Sequence, residues 1–466
     1  MIGILPMQVE VREPYGWRLI QEFESPQEDH LLLLPLTIPT GGDVNEDEGY
    51  HHHQQQEEEE DKEEEVYLAL ITPGEAGEAR LLQYHPGTDS YLHTGVVLGG
   101  GGCEVMGVGG YRSRNGRVFL VSGHACPHTP TSTPTSTPTP GFPSGSPSLH
   151  HNTTATQGVV ESGVRVWEWV SGGGERRRVT LLTHYPLPSP TDLQVMNVFG
   201  TACVVVAGGA DTRVLCEDRE GPPGVLRELQ RITTTSPYKL SLAPYKYPGA
   251  MTTWVLAVAD PLHAPTTPTS SSSSGGRRGG GSISLLVYSH HLARFTSLQR
   301  ERLEGVVWVD LVSQGPYLLL AAITEDLHGH TDGRLLIYRI ELRGSGAPVP
   351  YMKLVQEVSV EEPREAHFTP SATPGKVSLY VLTRQGRITR YSATGHLHRL
   401  QWSGEVHLAG RVRMAVWRGA ARGATTWGAG TAVTRLAVSG RGCSGSRHLT
   451  PPPRPALVLE ERYRAG

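Results

Sequence analysis

This 466-residue chain lacks an excess of either charge: 42 Lys and Arg stand against 46 Asp and Glu, a formal net charge of −4. It therefore has no basic face of the kind that binds nucleic acid, and its acids concentrate in one tract. It lacks long apolar runs, since none approaches the roughly 18 residues that cross a bilayer as a helix. The opening MIGILPMQVEVREPYG has no basic stretch followed by a long apolar one. No secretion signal is expected there, and the chain can begin inside a longer precursor. Catalytic signatures are missing as well: there is no G-x-S-x-G, G-x-x-x-x-G-K-[ST], H-E-x-x-H or C-x-x-C, and GGGGCEVMGVGG has the wrong spacing for a dinucleotide fingerprint. The expectation is a chain that is not an enzyme and needs no cofactor, although fold alone does not decide that point.

What is abundant is turn chemistry. The 55 Gly and 35 Pro accompany a hydrophobic fraction of 38%, which suits a turn-rich β protein better than a helical one. QQQEEEEDKEEE (54–65), PHTPTSTPTSTPTPGFPSGSPS (127–148) and APTTPTSSSSSGGRRGGG (264–281) carry almost no large apolar residues and are expected to be disordered, since they cannot offset their own ordering entropy. With such segments set aside, a step ending in Gln recurs: LIQEF (19–23), ELQRI (228–232), SLQRE (297–301), LVQEV (354–358) and RLQWS (399–403). VTLLTHY (179–185) and YLHTGVV (91–97) occupy the same place without the Gln. The corrected period is roughly 45 to 50 residues over about seven copies.

Each copy then runs through an alternating strand such as VVWVDLV (306–312) and a continuously apolar one such as CVVVAGG (203–209). A third strand such as RLLIY (334–338) follows. Four short strands per unit predict an all-β, seven-bladed propeller over 1–440, with low-complexity insertions near 39–65, 124–163, 260–282 and 324–332 and an irregular tail over 441–466. Ring closure is expected from the N-terminal run Met7 to Arg12, read as the third strand of a last blade whose other strands follow residue 400.

The pattern of Leu-x-Gln, an apolar strand, Tyr-Leu-x-(Val/Ala) and (Val/Ile)-Tyr-(Arg/Trp) resembles the epilepsy-associated (EPTP) repeat over about residues 7–417. The closest copy is PYLLLAAITEDLHGHTDGRLLIYRI (316–340), followed by LYVLTRQGRITRY (379–391). Most copies lack the Trp usual at the end of the third strand. The resemblance implies a seven-bladed propeller, secreted or in an ectodomain, that binds other extracellular proteins without catalysis. No site residue is carried over from it.

The five cysteines test the compartment. With GGAD (208–211) as a hairpin turn, Cys203 falls opposite Cys216. Cys103 and Cys126 flank the hairpin turning at Asn115–Gly116, about two residues out of register, so that pairing requires a bulge. The other reading is two pairs of reduced, buried thiols. A sequon at Asn152 adds slightly to an extracellular assignment. His51 to His53, His328 and His330 read as solvated low-complexity sequence rather than metal ligands. Asp192 and Asp310, on or beside first strands, should line the central channel; a channel cation would suit the resemblance, but solvated carboxylates are the preferred reading, and no metal ligand is assigned.

Three of the four insertions fall between second and third strands, so they decorate one face. The turns between blades emerge on that face too, which places Arg302, Glu304, Glu361 and Glu362 as its binding residues, with Arg114 and Arg384 opposite. The expected function is an extracellular propeller presenting this face to a protein ligand or matrix component, with neither nucleic acid nor membrane insertion involved. The alternative is an intracellular scaffold of the WD or kelch kind.

Overall fold

In the computed structural model, described over residues 10–11, 17–23, 32–39, 64–72, 77–126 (without 86, 89, 100 and 101), 161–170, 178–246 (without 219), 252–261, 281–325 (without 315 and 316), 332–343, 349–370, 376–394, 399–407, 413–420, 432–439 and 456–461, every element is a β-strand. The strands form seven antiparallel sheets. Their innermost strands are Leu32–Pro39, Glu104–Arg112, Pro190–Val198, Lys239–Lys246, Val306–Gln314, Pro363–Pro370 and Arg413–Ala420. Each touches the next, and the seventh touches the first, so the sheets are the blades of a closed propeller.

The second strands read as continuous apolar runs because both of their faces are covered by neighbouring blades. All eight residues of Thr201–Gly208 are buried, and Tyr317–Thr324 supplies Leu318, Leu320 and Ala322 to one inter-blade core and Leu319, Ala321 and Ile323 to the next. Outer strands face solvent, and Leu226–Thr233 is mostly exposed. Gly109 has a packing reason: a Cβ there would lie 2.4 Å from Val195 of the adjacent inner strand.

The recurring Gln has a structural cause. In the third, fourth and fifth blades the outer strand carries a one-residue bulge, at Leu229, Leu298 and Val355, and Gln230, Gln299 and Gln356 follow it. The Gln side chain crosses to the outer strand of the next blade. Gln230 donates to the Phe295 carbonyl (2.8 Å) and accepts its N–H (2.7 Å), Gln299 accepts from Met352 N–H (2.7 Å), and Gln356 donates to the Leu400 carbonyl (3.0 Å) and accepts its N–H (2.8 Å). An amide is both donor and acceptor, so it can complete a backbone pair that no strand reaches. Gln21 follows a bulge of the same kind, and in the second blade Thr183 occupies the position. Gln401 does not belong to the series. The bulge there is Ser403 and the equivalent residue is Gly404. Gln356→Ala should cost about 1–2 kcal/mol in urea unfolding by leaving the Leu400 amide pair without partners; unchanged stability would remove the clamp from the account.

The seventh blade is closed by both ends of the chain, though not by the segment expected. Its order is Trp17–Phe23, Ala456–Glu461, Ala432–Ser439, Arg413–Ala420, so the N-terminal contribution is the outer strand at 17–23. Of the run Met7 to Arg12, the described residues Glu10–Val11 pair with His407 and Val406 at the edge of the sixth blade. The boundary at 440 is also corrected, because ALVLEE at 456–461 is the third strand of the last sheet and not irregular tail. Short apolar strands after a Pro-rich run are ambiguous until a sheet edge is there to receive them.

Both disulfides are present, Cys203–Cys216 and Cys103–Cys126. Cys203 lies opposite Cys216 in the ladder. In the other hairpin a register shift between Val105 and Gly107 brings Glu104 opposite Ala125, which carries the flanking cysteines together with one extra residue rather than two. The interiors of the insertions, Asn152, His51 to His53, His328, His330 and Cys443 lie outside the described residues.

Candidate functional site

Two strand ends meet on one face of the ring. Inner strands start there, and the connections between second and third strands turn there. Backbone bonds stitch the two sets: Leu187 N–H to the Ser162 carbonyl, Leu303 to Gly281, Glu325 to Gly305 and Arg384 to Glu362. Asp260, buried at the start of an insertion, accepts the N–H groups of Thr235 (2.8 Å) and Ser236 (2.7 Å) in the neighbouring turn. The face is thus a rigid rim beneath the insertions.

Glu304 and Glu362 sit in these inter-blade turns, and Arg302 and Glu361 end the outer strands that lead into them. Arg302 and Glu304 are exposed and make no ion pair among the described residues, whereas Glu361 accepts from Gln385 (3.1 Å). Glu362 holds a left-handed φ of 43° before Pro363. Arg384, expected on the opposite face, is not there. It lies in the turn between Lys376–Thr383 and Arg387–Thr394, a second-to-third connection, and pairs with Glu325 at 3.0 Å. Arg114 is on the opposite face and donates to Thr201 Oγ1 at 2.7 Å in the equivalent turn of the next blade.

The ring axis holds a cavity of about 600 Å³ lined by all seven inner strands. Its wall is two-sided. Across the third to sixth blades runs a polar chain: Lys239 Nζ lies 2.9 Å from Asp192 Oδ2 and 4.5 Å from the centre of the Trp308 ring. Trp308 Nε1 donates to the Ala366 carbonyl (2.7 Å), and its ring meets that of His367 edge-on at 5.0 Å. The remaining wall, from the seventh, first and second blades, is formed mainly by Met414, Ala415, Leu36, Val105, Gly107 and Gly109, with the exposed Glu104 as its one acid.

Three of the four carboxylates that line the cavity are structural. Asp192 accepts from Leu193 and Leu240 N–H, Asp310 from Phe368 N–H and Ser241 Oγ, and Glu365 from Met414 N–H. Each therefore ties its own inner strand to that of a neighbouring blade. This corrects the preferred reading of Asp192 and Asp310 as solvated carboxylates: desolvation raises the Asp310 pKa above the ordinary carboxylate value, against the opposing pull of His367 and its hydrogen-bond donors. The two acids are engaged with different blades, and among the described residues no group of three His, Cys, Asp or Glu is arranged to hold a metal.

Lys239, Trp308, Arg364, Glu365 and His367 do not stand out from sequence. The available signal is polar or aromatic residues two apart in first strands: Lys239 with Ser241, Trp308 with Asp310, and Glu365 with His367.

No family model and no curated protein matches the chain. Among solved structures it is similar to Saccharomyces cerevisiae Sqt1 (10% identity, 85% of this chain and 82% of that one, TM-score 0.46). It is also similar to a protein from Lactobacillus plantarum (14%, 73% and 81%, 0.40) and to the periplasmic gluconolactonase PpgL of Pseudomonas aeruginosa (12%, 75% and 84%, 0.46). One of these similar structures is an enzyme, so the expectation that the chain is not an enzyme is not upheld. At these identities the likeness assigns neither family nor activity.

Proposed function

We propose that this chain is an extracellular propeller related to the epilepsy-associated repeat proteins, and that it presents the face bearing the inter-blade turns to a protein ligand. The two disulfides carry the extracellular part of the reading, since such bonds persist in oxidising compartments. The rigid rim with exposed Arg302, Glu304 and Glu361 supports the choice of face. Charge at a rim acts mainly on association rate and specificity.

The test is binding of fluorescently labelled protein to a panel of live cells. R302E, E304K, E361K and E362G should each lower the association rate several-fold with unchanged thermal stability, and R384E should join them. Glycine is chosen at 362 because the backbone there already adopts a conformation that glycine holds without strain. R114E on the opposite face should bind as the parent does. A larger loss from R114E than from the four turn variants would overturn the choice of face, and free thiols in secreted protein would overturn the compartment.

A further inference from the structure

The central cavity has donors that the fold does not use. Three of its four carboxylates, Asp192, Asp310 and Glu365, are turned onto backbone N–H groups, and the fourth, Glu104, is exposed. Lys239 is held by Asp192 and by the Trp308 ring. Two of the remaining groups are on the inner strand of the sixth blade. Arg364 lines the cavity, half-buried, with no ion pair among the described residues. His367 Nε2 is buried and has no hydrogen-bond partner; the nearest acid, Glu365, lies 3.9 Å away. A buried ring nitrogen without a partner is costly to leave bare and marks a place for a polar guest.

The wall formed by Met414, Ala415, Leu36 and Val105 is apolar, and the one acid beside it, Glu104, is exposed to solvent. A guest must therefore carry a hydrogen-bond acceptor of negative charge at one end and an apolar body at the other. The fork of Arg364 suits a carboxylate, and about 600 Å³ is enough for a short peptide end but not for a folded domain. We propose that the mouth of the central channel binds the carboxylate of an apolar-bodied acid, with Arg364 as ion-pair partner, His367 Nε2 as hydrogen-bond donor and the Met414–Leu36–Val105 wall taking the body. The carboxylate can come from a small organic acid or from the C-terminus of an extended peptide. Binding here is separate from capture of a protein by the inter-blade turns.

Titration calorimetry with three probes tests this: hexanoate, the tripeptide acetyl-Ala-Val-Leu with a free C-terminus, and the same tripeptide as its amide. The free-acid tripeptide should bind at least tenfold more tightly than the amide. Comparable binding of hexanoate identifies a small acid as sufficient, and binding of the tripeptide alone identifies a peptide end; either supports the site. R364Q should weaken the acid by about ten- to a hundredfold, the range of one charge-assisted bond. R364K should recover part of that loss, and H367Q should weaken it less than R364Q does. Near-UV circular dichroism of each variant shows whether the ring is intact, and if R364Q does not fold, R364K decides: it should bind the acid more weakly than the parent, and parental affinity counts against the site. The E304K and E361K variants should bind the acid as the parent does, which separates failure of the channel site from failure of the proposed face. No binding of either acid at millimolar concentration, equal binding of acid and amide, or undiminished binding by R364Q overturns the proposal.

Discussion

Reducing both disulfides should lower the unfolding free energy by about 6 kcal/mol, roughly 3 kcal/mol from each. The magnitude follows from sequence separations of 13 and 23 residues, which set how much chain freedom each bond removes from the unfolded state. The two bonds lie in different blades and share no partner, so their effects should add. Guanidinium unfolding with and without reductant measures the sum, and the Cys203→Ala, Cys216→Ala double variant measures one bond with the other left oxidised. A reduced protein within about 0.5 kcal/mol of the oxidised one would sink the prediction. Dependence of that size would make folding inefficient in a reducing compartment, which is how these bonds bear on the proposed extracellular location.

Mild acid should destabilise the ring by an amount on the order of 4 kcal/mol over the full titration of His124. His124 lies fully buried between the first and second blades beside Ser122, Trp167, Arg165 and His184. Trp167 Nε1 donates to Ser122 Oγ (2.8 Å), and Ser122 Oγ shares a hydrogen bond with His124 Nε2 (2.7 Å). Burial first, then the charges of Arg165 and His184, push the His124 pKa down to about 3. The folded state thus holds the ring neutral. Its contribution is complete above the unfolded value near 6.5, declines as pH falls from there towards 3, and is flat below. His184 shifts in the same direction, from burial and Arg165. Between pH 6.5 and 5 carboxylates contribute little, so urea unfolding in that window should show stability falling with a slope that approaches about 1.4 kcal/mol per pH unit from His124, with His184 adding in the same direction. His124→Gln, whose amide oxygen can take the Ser122 proton, should remove one group's share of the slope. An unchanged slope in that variant would refute the assignment.

Particular residues show where sequence reading reaches its limit. The second strands are legible because burial on both sides leaves an unbroken apolar signature, as in CVVVAGG. Cys203 and Cys216 are legible because register within a hairpin is counted outward from its turn. The Gln step is visible as a recurrence but not as a clamp. What distinguishes Gln356 from Gln401 is the bulge before it, and a bulge leaves almost no trace in residue type. Arg384 falls on the wrong face when the strands of the sixth blade are miscounted from sequence, whereas the neighbouring Glu361 and Glu362 are placed correctly from the turn between blades. The role of 456–461 escapes notice because a six-residue strand is defined by the edge it pairs with, and that edge is supplied by residues 432–439.

By itself the sequence determined the local elements of this protein: four-stranded units, the places of their turns, and the hairpin register that pairs Cys203 with Cys216. These follow from neighbours along the chain, where period-two alternation and turn residues act over a few positions. Only the tertiary structure decided the closure of the ring by Trp17–Phe23 and Ala456–Glu461, and the gathering of Lys239, Trp308, Arg364 and His367 around one channel. Those residues come from three blades, far apart along the chain, and no local pattern links them. They meet because apolar packing between adjacent blades turns each inner strand towards a common axis, and the ring then brings its members together whatever their distance in sequence.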